Sequence, residues 1–346
     1  MSSKTGTSIL IIYTGGTIGM IQNPETGALE SFNFDHLLNH VPELKQFNLN
    51  IDSKTFTPPI DSSDMEPELW SRIVRIIEEN YDHYDGFVIL HGTDTMSFTA
   101  SALSFMLEDL MKPVILTGSQ LPIGALRTDG KENLITAIEI AAAKNPDGTP
   151  VVPEVCVFFQ EKLMRGNRTT KINSESFGAF GSNNYPPLGI AGTSIQYYPN
   201  NIKKYIPGRK LKAHYEYNNN IIILSLFPGI KQEIIEKVLG DKELKGVIFR
   251  TFGAGNAPRK KWLIDALKRA TAEGKIIINI TQCAGGSVHM EVYETGLQLL
   301  DAGVISGKDS TVEAALTKLM YLFGKGLPTE EVRRLMSKSL EGEITE

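Results

Sequence analysis

Thiols are scarce in this chain. Its two cysteines, Cys156 and Cys283, have no paired spacing, which excludes a disulfide framework, a cysteine-rich zinc site and a Cys-x-x-Cys redox motif. Both are expected as buried thiols. Charge of one sign is also lacking. Thirty-five Lys and Arg face 40 Asp and Glu, a net charge of −5 with no long basic block, so nucleic acid and anionic membrane surfaces are excluded as partners. No apolar run approaches the roughly 18 residues of a membrane span. The amino terminus offers one lysine and a five-residue apolar run, too little for a signal peptide, and a cytoplasmic location is expected. Gly15-Gly16-Thr17 is neither a Gly-x-Gly-x-x-Gly fingerprint nor a Walker loop, which sets nucleotide binding aside. His36 and His40 are four apart but lack a carboxylate and a third ligand. No metal and no cofactor are expected.

What is present is an ordinary globular composition, 41% hydrophobic and 22% charged, over 346 residues, enough for two domains. The chain is organised around Ile9-Leu10-Ile11-Ile12-Tyr13, a β-branched apolar run that stops at Thr14-Gly15-Gly16-Thr17-Ile18-Gly19. Such a run closed by a glycine pair predicts a buried strand ending in a tight turn. The pattern recurs. Gly86–Leu90 runs into His91-Gly92-Thr93-Asp94-Thr95, and Pro113–Leu116 into Thr117-Gly118-Ser119-Gln120. Later, Gly246–Phe249 precedes Arg250–Asn256, and Lys275–Asn279 precedes Thr281–Gly286. Helices are expected at 66–80, where Leu69, Ile73, Ile76 and Ile77 form one stripe, and at 97–110, ended by Lys112-Pro113. Strands alternating with helices argue for βαβ units and a parallel sheet, with the turns along one edge.

Between these units, Met20–Glu30 reads as a polar loop suited to a lid. Thr57-Pro58-Pro59-Ile60-Asp61-Ser62-Ser63-Asp64 reads as a break in which Ser or Asp caps the next helix. The pattern lapses between Gly192 and Asn220. The expected organisation is therefore an amino-terminal domain over 1–195, a linker over 196–219 and a carboxyl-terminal domain over 220–346. That second half resumes with Ile221–Leu226 and helices near 231–240, 259–273, 311–323 and 329–339.

Hydroxyls at the carboxyl ends of parallel strands stand where open α/β sheets bind ligands. Amide hydrolysis needs a nucleophile, a group to take its proton and donors for the oxyanion. Thr17 is one candidate nucleophile; a turn threonine without chemistry is the other reading. Lys171, in Arg165-Gly166-Asn167-Arg168-Thr169-Thr170-Lys171, suits a base if burial keeps its amine neutral, and equally suits a solvated cationic loop. His91 could serve Thr93 but reads as a structural residue of its turn.

Taken together, Thr14-Gly15-Gly16-Thr17-Ile18-Gly19 and Gly86-Phe87-Val88-Ile89-Leu90-His91-Gly92-Thr93-Asp94-Thr95 closely resemble the two signatures of the bacterial-type L-asparaginases. Arg168-Thr169-Thr170-Lys171, Gly253-Ala254-Gly255-Asn256 and Thr281-Gln282-Cys283 extend the resemblance over most of the chain. Without a signal peptide it is similar to the cytoplasmic type I branch. The resemblance implies an α/β protein of two domains, a larger flavodoxin-like amino-terminal one with a parallel sheet and a smaller carboxyl-terminal one. It implies conversion of L-asparagine to L-aspartate and ammonia through an acyl-enzyme, without a cofactor. Thr17 would be the nucleophile. Thr93, Asp94 and Lys171 would form the second half of the site, and Asp94 would also grip the substrate ammonium. Ser62 and Ser63 would hold the α-carboxylate, and backbone amides near Gly92 and Ser119 would serve as oxyanion donors.

The resemblance also implies homo-oligomers, an intimate dimer commonly doubled into a tetramer, and an activating asparagine site matched here by Thr170, Arg250 and Cys283. One departure stands out. Related periplasmic enzymes place a tyrosine in the loop after the first signature, where this chain has Ala28. Tyr293 matches a second-domain tyrosine of some type I enzymes and is the candidate replacement, acting across a subunit interface. The competing readings are an amidase subunit serving tRNA-dependent amidation, whose usual extra amino-terminal domain has no counterpart before Thr17, and an amino-acid-binding protein with a decayed site.

Overall fold

The computed structural model describes residues 6–22, 29–31 and 41–346. His36, His40 and Ala28 lie outside the described residues. The chain divides into two compact units, Met1–Tyr215 and Glu216–Glu346.

In the first unit, β1 (Ser8–Gly15), β2 (Asn50–Ile60), β3 (Gly86–Leu90), β4 (Val114–Thr117) and β5 (Val155–Phe159) are parallel. The strands β6 (Lys162–Arg165), β7 (Gly189–Ala191) and β8 (Ile195–Tyr197) continue the sheet antiparallel, in the order β8-β7-β6-β5-β4-β3-β1-β2. The parallel part has the order 2-1-3-4-5 of a flavodoxin-like sheet. Every residue of β1 and β3 is buried. Strands covered on both faces cannot alternate apolar and polar residues, hence the unbroken runs in the sequence. Helices α1 (Pro67–Asn80), α2 (Met96–Met106) and α3 (Gly130–Ala142) cover the sheet. Ile9, Ile11, Val88, Leu90 and Ile115 pack with Leu134, Ala137 and Ile138 of α3 in one core cluster, each large aliphatic contributing about 1.5–3 kcal/mol of burial.

The second unit is a separate parallel sheet, β9 (Ile221–Ser225), β10 (Gly246–Thr251), β11 (Ile276–Thr281) and β12 (Ile305–Ser306), hydrogen-bonded in that order. Helices α4 (Gln232–Leu239), α5 (Lys261–Ala272), α6 (Glu294–Asp301), α7 (Val312–Gly324) and α8 (Thr329–Met336) accompany it. Val247, Phe249 and Ile277 meet Leu263 and Leu267 in its core. Lys318 and Glu343, both buried, pair at 2.6 Å and tie the last residues to α7.

Several expectations need correction. Pro58 and Pro59 do not break structure: β2 runs through both, with a cis Thr57–Pro58 peptide and a register shift opposite Tyr13 to Gly15. It is the outermost strand, and an edge strand tolerates residues without an N–H. Asp61 caps the short turn Ser62–Asp64, accepting from the Ser63 amide, whereas α1 starts after Glu66 with no side-chain cap. The helix expected to reach residue 110 stops at Met106, because Leu107-Glu108 pairs with Lys212-Ala213. The ends of the expected lid, Met20–Gln22 and Leu29–Ser31, form an antiparallel pair. Cys156 is buried but Cys283, in the turn after β11, is exposed. Residues 196–219 contain the end of β8, the turn Pro199–Asn201 and Lys212-Ala213, and Ile202 reaches the core of the first unit.

Candidate active site

The order of the sheet reverses between β1 and β3, since β2 follows β1 on one side while β3 lies on the other. Their carboxyl ends therefore open the crevice where such folds bind ligands. Glycine brings the turns at these ends into contact. Gly15 and Gly16 have φ of 138° and 90°, a region that L side chains avoid. A Cβ on Gly16 would lie 2.5 Å from the Cα and N of Gly92, and one on Gly92 would lie 2.7 Å from the Ser62 Cβ. Only at hydrogen-only positions can the turns after β1, β2 and β3 meet this closely. Thr17 and Thr93 each directly follow a glycine of this contact.

Hydrogen bonds lock the arrangement. The Thr14 hydroxyl donates to the Leu90 carbonyl at 2.9 Å, joining β1 to β3. Thr95 Oγ1 donates to the Ser62 carbonyl at 2.6 Å. Thr17 opens a short 3₁₀ turn and is half-buried; Ser62 is buried and Ser63 exposed. The Ser63 hydroxyl donates to Asp61 at 2.9 Å.

Lys171 arrives on a hairpin, Thr170-Lys171 paired with Phe180-Gly181. Its Nζ donates to Thr93 Oγ1 at 2.8 Å and to Asp94 Oδ1 at 2.7 Å. The lysine side chain is 19% exposed and the aspartate 63%, so the cation is sheltered while the carboxylate faces the opening. Thr93, Asp94 and Lys171 thus converge, although 77 residues separate Asp94 from Lys171. The Thr93 hydroxyl also reaches Gln120 Oε1 at 3.4 Å. Gln120 Nε2 donates to the carbonyls of Ser174 and Ser176, at 3.1 and 3.0 Å, in the loop of the Lys171 hairpin. Sequence reasoning passed over Gln120. Its one signal was position, second after Gly118 in the turn that follows β4.

His91 faces away from this chemistry. The Gly92 carbonyl, 2.7 Å from Nδ1, can only accept, so Nδ1 carries the proton and Nε2 accepts from Thr99 Oγ1 at 2.9 Å. That hydroxyl in turn accepts from Trp70 Nε1 at 3.0 Å. Full burial pushes the His91 imidazole down to about 4, with the bond to Gly92 opposing the shift. It is a neutral strut. Ser119 is buried, its hydroxyl donating to the Leu121 carbonyl at 2.5 Å. Arg250, Cys283 and Tyr293 belong to the second unit. Arg250 leaves its Nε buried with no partner among the described residues, and Tyr293, just before α6, is half exposed.

A parallel sheet of flavodoxin-like order with paired threonines, a carboxylate and a lysine at its switch point defines a hydrolase-like crevice, and comparison gives it a family. Residues 8–203 match the family profile described as Asparaginase, N-terminal, and residues 220–336 match that of the Glutaminase/Asparaginase C-terminal domain. The chain belongs to the asparaginase family. It is 45% identical to L-asparaginase 1 of Escherichia coli (strain K12), covering 98% of both chains. It superposes on L-asparaginase I from Vibrio cholerae with a TM-score of 0.89 at 43% identity, over 99% of this chain and all of that one. It is also 34% identical to a glutamyl-tRNA(Gln) amidotransferase subunit of Thermococcus kodakarensis, over 98% of this chain and 76% of that protein.

The state of His91 leads to a pH prediction. Its folded pKa lies below the unfolded value near 6.5, so the unfolded chain binds the extra proton between pH 6.5 and 4. Stability is present above that window and falls as pH is lowered through it, by up to about 3 kcal/mol. Urea unfolding at pH 7 and pH 4 should show the wild type losing more stability than His91→Gln by that amount. Equal losses in the two proteins would mean that folding leaves the His91 pKa at its unfolded value.

Proposed function

We propose that this chain is an L-asparagine amidohydrolase that releases L-aspartate and ammonia. The observation that carries the reading is the Lys171 ammonium held between Thr93 Oγ1 and Asp94, on the turn that touches the one bearing Thr17. In this reading Thr17 Oγ attacks the side-chain amide carbon. The C–N bond breaks, ammonia leaves with the threonine proton, and an aspartyl ester remains on Thr17. Water then cleaves the ester and restores the hydroxyl. Lys171 polarises the Thr93 hydroxyl, which handles the proton of the attacking group. Asp94, more exposed, binds the substrate ammonium. Ser62 and Ser63 bind the α-carboxylate, while amides at Gly92 and Ser119 stabilise the oxyanion, each donor contributing about 3 kcal/mol.

Three finer features belong to the same proposal. The enzyme is cytoplasmic and works as a homo-oligomer, a dimer or a dimer of dimers, in which Tyr293 serves the Thr17 of a neighbouring subunit. Val292, Tyr293 and Leu297 are large apolar side chains at least 48% exposed, and exposed apolar clusters of this kind favour burial by another chain. A second asparagine activates the enzyme at a site that includes Arg250 and Cys283 of the second unit. The Arg250 Nε, buried with no partner among the described residues, supports it, since a guanidinium suits a carboxylate.

Ammonia release by the purified chain from L-asparagine, with L-glutamine assayed separately, tests the reading; no release from either substrate contradicts it. Thr17→Ala and Thr93→Val should each lower turnover by about 10⁴-fold or more with unchanged melting. A Thr17→Ala enzyme retaining a tenth of wild-type activity would remove Thr17 as nucleophile.

Tyr293→Phe should lower turnover by about tenfold or more, and refolding it together with Thr17→Ala should restore activity. Full activity of Tyr293→Phe ends its catalytic role. Mixed oligomers that form but stay inactive end the shared site.

Coupling of about 1–3 kcal/mol between the two asparagine sites makes the rate curve sigmoidal, and Arg250→Ala should make it hyperbolic. A hyperbolic wild-type curve, unchanged in Arg250→Ala, rejects activation.

A further inference from the structure

Asp129 stands immediately before α3, at the position from which a side chain ordinarily caps the helix, yet its carboxylate makes no bond to that helix's first amides. It turns instead to the loop after β4. The Gln120 amide donates to both of its oxygens, at 3.1 and 3.0 Å, and the Leu121 amide donates to Oδ1 at 3.1 Å. Asn133 Nδ2, one helical turn on, donates to Oδ2 at 3.3 Å and to the Gly118 carbonyl at 3.0 Å. The other end of that carboxamide accepts from the Gln160 amide at 2.9 Å. Asn133 is buried and Asp129 half-buried. The start of α3 also presses on the turn bearing Thr17, because a Cβ on Gly130 would lie 3.3 Å from Ile18 Cγ1 and from Ser119 Cβ.

The loop held in this way carries Gln120, whose carboxamide lies between the Thr93 hydroxyl and the tip of the Lys171 hairpin. A carboxylate that accepts two successive amides fixes the peptide planes between them, and the bonds are charge-assisted, so the loop has one strongly preferred setting. With its backbone fixed, the Gln120 side chain sets the spacing of Thr93 and Lys171.

We propose that Asp129, supported by Asn133, is a positioning residue for the reaction: it fixes the Gln120 backbone so that the Gln120 carboxamide registers Thr93 against Lys171. The proposal rests on the amidohydrolase reading given above. Asp129 touches no reacting atom, and its effect passes through Gln120.

The test compares wild type, Asp129→Asn, Gln120→Ala and the double variant. A misplacement of about 1 Å costs on the order of 10²-fold in rate, so kcat of Asp129→Asn should fall by that factor. KM should move by less than about threefold, because the loss is confined to the chemical step. The double variant should be no slower than the slower single variant, since the two residues act in series. Amide hydrogen exchange at Gln120 and Leu121 should accelerate in Asp129→Asn while that of β1 stays unchanged. Should Asp129→Asn fail to fold, Asp129→Ser, which removes the carboxylate that accepts from the Gln120 and Leu121 amides, serves the same comparisons. Wild-type kcat in the variant, multiplicative rate losses in the double variant, or unchanged exchange at the two amides would each overturn the proposal. A wild-type chain that releases no ammonia would overturn the amidohydrolase reading instead, and the exchange measurement would then decide whether Asp129 fixes the loop.

Discussion

Everything at this site depends on the closeness of Gly16 to Gly92. A methyl group at either position would overlap the opposing backbone or Ser62, and the turns would part by about the width of that group. Because Thr17 and Thr93 are the next residues in their chains, the separation of the two hydroxyls is set by backbone against backbone. Close-packed interiors resist displacement, and β1 and β3 beneath these turns are buried along their whole length. The rigidity that places the hydroxyls is thus a property of the sheet, carried to its edge by glycine.

Around that contact the charged groups are divided by exposure. The Lys171 cation is sheltered and its partner Asp94 faces the opening, where a substrate ammonium can compete for the carboxylate. Asp129 faces backbone amides. His91, the one imidazole in these turns, is held neutral by burial and closed off by Thr99 and Trp70. A neutral imidazole there leaves Lys171 as the cation next to Thr93. Adding a second one would oppose the binding of a cationic amino group by like-charge repulsion.

The strands and their turns were legible because burial on both faces writes an unbroken apolar run and a close backbone approach writes glycine. The turns bearing Thr17, Thr93 and Asp94 could be found for that reason, and Thr17 stood out as a candidate nucleophile; the roles of Thr93 and Asp94 came from the family resemblance. The contact between Lys171 and Thr93 was not written in spacing, since 78 residues separate them and only the hairpin at Thr170 joins their neighbourhoods; the family resemblance supplied it. Helix α3 escaped notice because its buried residues Leu134, Ala137, Ile138, Ile140 and Ala141 wrap past one narrow stripe. Strand β2 was hidden by Pro58 and Pro59, which an edge accepts. Asp129 and Asn133 left no trace because most of their partners are backbone groups, present at every residue and invisible to pattern. Cys283 read as buried from residue type alone, whereas its place in a turn exposes it.

In the proposed reaction Thr17, rather than Thr93, becomes acylated, and trapping of the intermediate tests this most directly. Enzyme mixed with excess L-asparagine, quenched in acid within one turnover and digested for peptide mapping by mass spectrometry, should carry an aspartyl ester on Thr17 and none on Thr93. An ester on Thr93, or ammonia released in a first-turnover burst with neither threonine modified, would contradict that assignment.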